Sequence, residues 1–376
     1  WTRRSTLSRS GVSAAQTPRA ASILFLMSPK DLRIVTIGGG TGLSTLLRGL
    51  KKFVGSTGPW SISHLSAIVT VTDEGGSSGA LRREFGMLPP GDVRNCIVAL
   101  AEEEQLLSRL FSYRFLDDST LQGHSLGNLL LAALTEITGS FDEAILAASE
   151  VLAIRGEIYP STLADVRLRA ICADGSELIG ELGISGTRLG QSDAPVPSHP
   201  RIVHLAIEPP DAAPVERALE AIRQADMILI GPGSLYTSIL PNLVINDLGQ
   251  ALRSAQSLRV YICNVMTQPG ETDGYSAQDH LSAIIEHAGF VADVMVMNGR
   301  RPSESILANY ADKNQHQVPF NVNAIRELGV TPFFGDIISE GDYVRHDPEA
   351  LAQTVFRLYD RYGRRLQNIR RERGQG

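Results

Sequence analysis

Gly38-Gly39-Gly40-Thr41-Gly42 follows a short apolar run at 33–37 and opens a stretch with Leu43, Leu46, Leu47 and Leu50 on one helical face. Strand, glycine turn and helix together aim backbone N–H groups and a positive helix end at an anion. Glycine is required there because a Cβ would block close approach and disfavour positive φ. The chemistry implied is binding of a phosphate-bearing ligand. Five more polar turns repeat the theme. Asp73-Glu74-Gly75-Gly76-Ser77-Ser78-Gly79 places two acids, two hydroxyls and three glycines in seven residues. Carboxylates suit a hydroxyl-rich ligand or magnesium. The serines and N–H groups suit phosphate oxygens.

The turn at 89–95 carries Asp92, Arg94 and Asn95. Asp92 can cap the helix that follows it. Arg94, in the first turn, is placed for a bidentate phosphate contact. Gly123-His124-Ser125-Leu126-Gly127-Asn128 opens another helix, with Leu126, Leu130, Ala133 and Ile137 as its apolar stripe and Asn128 off that stripe. His124 reads as a hydrogen-bond partner. Gly231-Pro232-Gly233-Ser234 forms a second glycine cradle, and 264–272 a further polar turn that leads to Tyr275. His280 and His287, seven residues apart, lack the spacing and third ligand of a zinc site and read as structural.

These turns need a scaffold. β-Branched runs at 33–37, 65–72, 201–207, 227–230, 259–265 and 293–297 read as strands, with helical patterns between most of them. That alternation implies a mostly parallel, doubly wound sheet, whose ligands sit beyond the carboxyl ends of the strands. Segments 166–172 and 177–182 flank Ala173-Asp174-Gly175-Ser176 and read as an antiparallel hairpin. Residues 187–200 read as a loop. Ser140 and Asp347-Pro348 read as helix starts.

Composition narrows the class. The chain has 376 residues, 43% hydrophobic and 20% charged, an ordinary globular balance. A net charge of −6 argues against wholesale nucleic-acid binding. Cys96, Cys172 and Cys263 are far apart and form neither a CxxC nor a disulfide framework, which fits a cytoplasmic setting. No apolar run reaches the roughly 18 residues of a membrane span. Residues 1–30 are basic and read as a disordered arm, with a composition like an organellar transit peptide as the alternative. The arginine-rich end after Tyr359 reads as solvated.

The segments GGGTGLSTLLRGLK, TVTDEGGSSGALRREF, PPGDVRNCIVAL, GHSLGNLLLAAL, GPGSLYTSILPNL and NVMTQPGETDGYSAQDH, in this order over about residues 32–343, resemble the gluconeogenesis-factor family. That family is similar in turn to 2-phospho-L-lactate transferase. The resemblance implies a Rossmann-like three-layer α/β/α fold, with a mostly parallel sheet and a small antiparallel hairpin insertion. The divisions expected are an arm at 1–30, a nucleotide-sugar domain at 31–345 with the insertion at about 160–200, and a C-terminal helix and basic tail at 346–376. It implies binding of a UDP-sugar, UDP-N-acetylglucosamine above all, in support of cell shape, envelope synthesis and carbon metabolism.

Carried onto this chain, the ligand-binding residues are Gly38, Gly39, Gly40, Thr41, Gly42, Asp73, Ser77, Ser78, Gly79, Asp92, Arg94, Asn95, His124, Asn128, Gly231, Gly233, Ser234 and Tyr275, with Tyr275 at the sugar-nucleotide. The transferase relatives imply an alternative, a magnesium-dependent transfer from a nucleoside-diphosphate-linked donor. Asp73 and Asp92 are then the candidate catalytic groups and Asp73 the candidate metal ligand. This chain has Asp73-Glu74 where the family often has two aspartates, and Glu74 reaches one methylene farther. A homo-oligomer and a regulatory protein partner are also open. A nicotinamide enzyme is disfavoured, because the ribose-binding acid expected about 20 residues beyond the glycine turn is missing. Arg48, Arg82, Arg83 and Arg94 are the candidate cations.

Overall fold

The computed structural model describes residues 30–102, 105–116, 120–186, 199–341 and 343–363. The basic arm, most of the loop read at 187–200 and the last arginines of the tail lie outside these residues.

Seven strands form the main sheet: β1 (Lys30–Gly38), β2 (Trp60–Val69), β3 (Glu157–Pro160), and, after an antiparallel excursion, β7 (Met227–Ile230), β8 (Leu258–Ile262), β9 (Val294–Asn298) and β10 (Thr331–Gly335). Their spatial order is β10-β9-β8-β7-β1-β2-β3, and every neighbouring pair is parallel. Parallel strands covered on both faces should be apolar throughout. Met227, Ile228, Leu229 and Ile230 are accordingly all fully buried. Helices Gly40–Leu50, Gly91–Leu100, Phe141–Val151 and Pro348–Leu358 pack together on one face, and Glu216–Gln224, Asn246–Ser254 and Ala277–Ala288 lie on the other. Leu43, Leu46, Leu47 and Leu50 are completely buried, so the stripe read from the sequence is the packed face of the first helix. Asp347 caps the helix at 348–358 by accepting the Ala350 N–H, and Ser140 caps its helix through the Glu143 N–H.

Between β3 and β7 the chain builds a separate antiparallel sheet from β4 (Arg167–Cys172), β5 (Glu177–Ile179) and β6 (Ile202–Glu208), in the order β5-β4-β6. Two readings change here. The run at 201–207 belongs to this sheet and not to the parallel one. The second hairpin strand stops at Ile179, and Gly180–Ser185 is a short helix. Gly180 has φ +76°, a conformation that ends the strand and that side chains resist. A last antiparallel pair, β11 (Ile338–Glu340) with β12 (Val344–His346), precedes the C-terminal helix. Strands β3 and β10, and residues 60–64 of β2, carried no clear pattern in the sequence; pairing with neighbours makes them strands.

Helix Leu126–Thr138 is rotated from its expected phase. Gly127, Asn128, Leu131 and Ala132 are buried, whereas Ile137 is 78% exposed. The Asn128 amide turns inward to donate to Ser77 Oγ at 3.1 Å. Satisfying a buried polar cluster outweighs the apolar period.

Candidate functional site

Strand β1 lies inside the sheet, with β2 on one side and β7, the middle strand, on the other. The order of crossovers therefore reverses between β1 and β7, the place where open α/β sheets bind ligands. Both glycine turns leave the sheet there. A Cβ on Gly42 would collide with the Pro232 carbonyl, so the two turns touch. Gly40 has φ +63° and Gly231 φ +79°. Polar side chains from the turn after β8 brace the second turn. Asn264 Oδ1 accepts the Gly233 N–H at 3.3 Å, and Gln268 Nε2 donates to Ser234 Oγ at 2.7 Å.

A cleft of about 490 Å³ opens on these turns. Gly39, Gly40, Thr41 and Gly42 form its floor with Pro232, Gly233 and Ser234, and among the described residues no carboxylate lines it. Arg48, Tyr310, Tyr343, Arg345 and His346 form other walls. Neither Arg48 nor Arg345 has an ion pair among the described residues. Tyr310 fixes the rim, since its hydroxyl donates to the Val344 carbonyl at 3.2 Å and accepts the Val344 N–H at 3.1 Å. Burial pushes His346 down to about 4, so its imidazole is neutral at physiological pH. It donates to the Cys263 carbonyl, and Nε2 keeps an unused lone pair.

Beside this cleft stands a group of carboxylates. A Cβ on Gly39 would come against Asp92, and one on Gly91 against Asp73 and Ser78. Asp92 accepts the Gly40 N–H. It lies within the first turn of its helix, whose N-cap is Pro90 without a side-chain cap, so capping is not its role. Burial, then the Asp73 charge, raises Asp92 to about 7. Glu181, on the short helix of the antiparallel insert, accepts the Glu74 N–H at 2.9 Å. Burial, then Asp73, raises it to about 9, and in its protonated form it hydrogen-bonds Asp73. Glu74 itself points at Gly180.

Magnesium takes oxygen ligands, commonly one or two carboxylates completed by phosphate and water. Among the described residues no three His, Cys, Asp or Glu form a cage that would hold a metal unaided. Asp73 and Asp92 therefore fit magnesium as partners of a ligand phosphate.

A second, smaller cleft of about 230 Å³ adjoins Asp73 and is lined by Ser77, Ser78, Arg94, Asn95 and Asn128, together with Arg114. His124 stands behind it, with Nδ1 3.1 Å from Ser77 Oγ. The predicted residues thus divide between two clefts, with Asp92 between them. Besides Asp92 and His124, four predicted residues line neither cleft. Gly38 ends β1, and its carbonyl accepts from Thr70 and Asn242. Gly79 packs against the Glu74 carbonyl, and Gly231 against the Ile262 carbonyl. Tyr275 is buried, with its hydroxyl 2.7 Å from that of Tyr236 and the Arg201 guanidinium 4.5 Å over its ring. Arg82 is also structural, donating to the Val166 carbonyl at 2.7 Å. Glu181, Arg114, Tyr310, Tyr343, Arg345 and His346 are additions from the structure.

Gly39→Ala is expected to destabilise the fold by about 1–3 kcal/mol, because both Asp92 and Thr70 must move. Its ligand affinity should fall as well. Thermal unfolding with and without ligand measures both, and an unchanged melting point would show that the turn tolerates a Cβ.

Residues 34–338 match the family described as 2-phospho-L-lactate transferase CofD. The gluconeogenesis factor of Halalkalibacterium halodurans is 44% identical over 330 residues, covering 87% of this chain and 96% of the relative. The gluconeogenesis factor of Bacillus subtilis is 41% identical over 329 residues, covering 87% and 98%. The chain belongs to the gluconeogenesis factor family. A crystal structure of a UPF0052 family member from Bacillus halodurans superposes with a TM-score of 0.79 at 42% identity, covering 88% of this chain and all of that one. As a CofD-like gluconeogenesis factor family member, the chain carries that family's α/β fold. Among the described residues no helix is long and apolar enough to cross a membrane.

Proposed function

We propose that the protein binds a UDP-sugar, UDP-N-acetylglucosamine in particular, and acts in the cytoplasm as a regulator of carbon metabolism and of cell-shape and envelope synthesis. The observation that carries the binding is the large cleft at the strand-order reversal. Two touching glycine turns offer N–H groups, Arg48 and Arg345 offer positive charge with no ion pair among the described residues, and no described acid opposes an incoming diphosphate. Tyr310 and Tyr343 add flat apolar surface beside it. The neutral His346 offers an acceptor to a ligand N–H or O–H. The link to carbon metabolism rests on the relatives' name, gluconeogenesis factor, and the regulatory, cell-shape and envelope role on the family resemblance of the motifs.

The carboxylate group favours a second reading, transfer from a nucleoside-diphosphate-linked donor. Such chemistry needs positioning and charge neutralisation more than a nucleophile. Asp73 and Asp92 would hold magnesium against the donor's phosphates, and the metal would neutralise charge on the leaving phosphate. Titration calorimetry with UDP-N-acetylglucosamine, and with GDP for comparison, both with magnesium present, tests the two. Saturable, UDP-preferring binding with no product supports the regulator. Preference for GDP, or release of nucleoside monophosphate with an acceptor, moves the transferase ahead.

A further inference from the structure

The smaller cleft has a character of its own. Three helices begin at it: Gly76–Phe85 contributes Gly76, Ser77 and Ser78, Gly91–Leu100 contributes Arg94 and Asn95, and Leu126–Thr138 contributes Asn128. The first two lack a side-chain cap, so their leading N–H groups remain available. Each helix start adds about half a positive charge. Arg94 and Arg114 bring two full charges, against one carboxylate, Asp73, among the described residues of the wall.

Two buried polar atoms there have no partner among the described residues: Arg94 Nε, a donor, and Asn128 Oδ1, an acceptor. Asn128 is 1% exposed, and its Nδ2 is already engaged by Ser77. The rest of the Arg94 guanidinium is held in place, Nη1 by Ser125 Oγ and Nη2 by Asn95 Oδ1, each at 2.7 Å. Burial, and then the charge of Arg114, lower the Arg94 pKa, and the Asp73 and Asp92 carboxylates offset this only in part.

We infer that this cleft is a second anion site, which takes the phosphate group of a small phosphorylated molecule distinct from the ligand of the larger cleft. Arg94, Arg114 and the helix N-termini hold the phosphate oxygens. Asn128 Oδ1 accepts a hydroxyl of the ligand or the proton of a monohydrogen phosphate. A site of this kind beside the nucleotide cradle would couple occupancy of the two. The inference does not require the larger cleft to hold a UDP-sugar.

Arg114 is exposed and, among the described residues, bonds the Gly123 carbonyl at 2.8 Å, so Arg114→Gln should fold normally. Inorganic phosphate is titrated calorimetrically into the full chain, into Arg114→Gln and into Arg345→Gln, with circular dichroism confirming each fold. Saturable phosphate binding that weakens about tenfold in Arg114→Gln and stays unchanged in Arg345→Gln is expected, from the loss of one charge-assisted hydrogen bond. Equal affinity in Arg114→Gln and the parent chain, or no saturable binding, overturns the site. A further arm repeats the phosphate titration with the protein saturated in UDP. Retained binding supports a separate ligand. Loss of phosphate binding under UDP means the nucleotide's own phosphates fill the cleft, and overturns the separate ligand. Failure of the UDP-sugar reading appears elsewhere, as absent heat in a UDP-N-acetylglucosamine titration, and leaves the phosphate result standing.

Discussion

Arg345→Gln is expected to weaken UDP-N-acetylglucosamine binding about 10- to 100-fold, with little change in stability. Arg345 is an exposed residue of β12 that lines the larger cleft and has no ion pair among the described residues, so its removal strands no internal partner. A charge-assisted hydrogen bond to an ionised group is worth about 1.5–3 kcal/mol, which is the range stated. Tyr275→Phe is the informative companion. It removes the hydroxyl that pairs with Tyr236, 2.7 Å away, so it should lower stability by about 1 kcal/mol and leave affinity within about twofold. Calorimetry on both variants decides. Parent-like affinity in Arg345→Gln would remove the diphosphate from this cleft. A large loss in Tyr275→Phe would restore Tyr275 to the sugar-nucleotide.

The contrast between these residues shows what the chain discloses locally. Glycine turns are legible because the requirement for no Cβ is written in the residue type, and the turns at 38–42 and 231–234 indeed meet. Apolar periodicity likewise marks the first helix and five of the parallel strands. Arg345 and His346 carry no such mark. They stand about 300 residues from the first glycine turn and reach it only because the last strand pair packs beside the carboxyl edge of the sheet. Glu181 was hidden for a related reason. A hairpin pattern ran through it, and only the αL turn at Gly180 lifts it onto a helix that meets Asp73. Asn128 was misplaced because a burial rule for apolar residues cannot anticipate a buried hydrogen-bond network. Tyr275 stood in a dense polar segment, yet the tyrosine there serves the packing of the turn at 235–239.

Asp92→Asn is expected to make the protein more stable at pH 8 by up to about 4 kcal/mol and no more stable at pH 4, while weakening any magnesium-dependent nucleotide binding. The sign follows from where the proton is held. Below about pH 4 Asp92 is protonated in both the folded and the unfolded chain, and it does not bias the equilibrium. Between its ordinary value of 3.8 and about 7 the unfolded chain releases the proton while the folded chain keeps it, so stability falls as pH rises through that window. Glu181 extends the decline toward about 9, and Glu271, buried beneath the turn at 235–239 and raised to about 7, adds a parallel contribution. Asparagine has the same shape as the protonated acid and can still accept the Gly40 N–H, so the substitution removes only the Asp92 part of the slope. Equilibrium unfolding in denaturant at pH 4, 6 and 8 reads it directly. Equal destabilisation of Asp92→Asn at all three values would make Asp92 a structural residue. The expected divergence has a functional meaning, because carboxylates that repel one another in the empty protein gain most from an incoming cation. The same Asp73–Asp92 repulsion that lowers stability at neutral pH would strengthen the hold on a magnesium-bound phosphate.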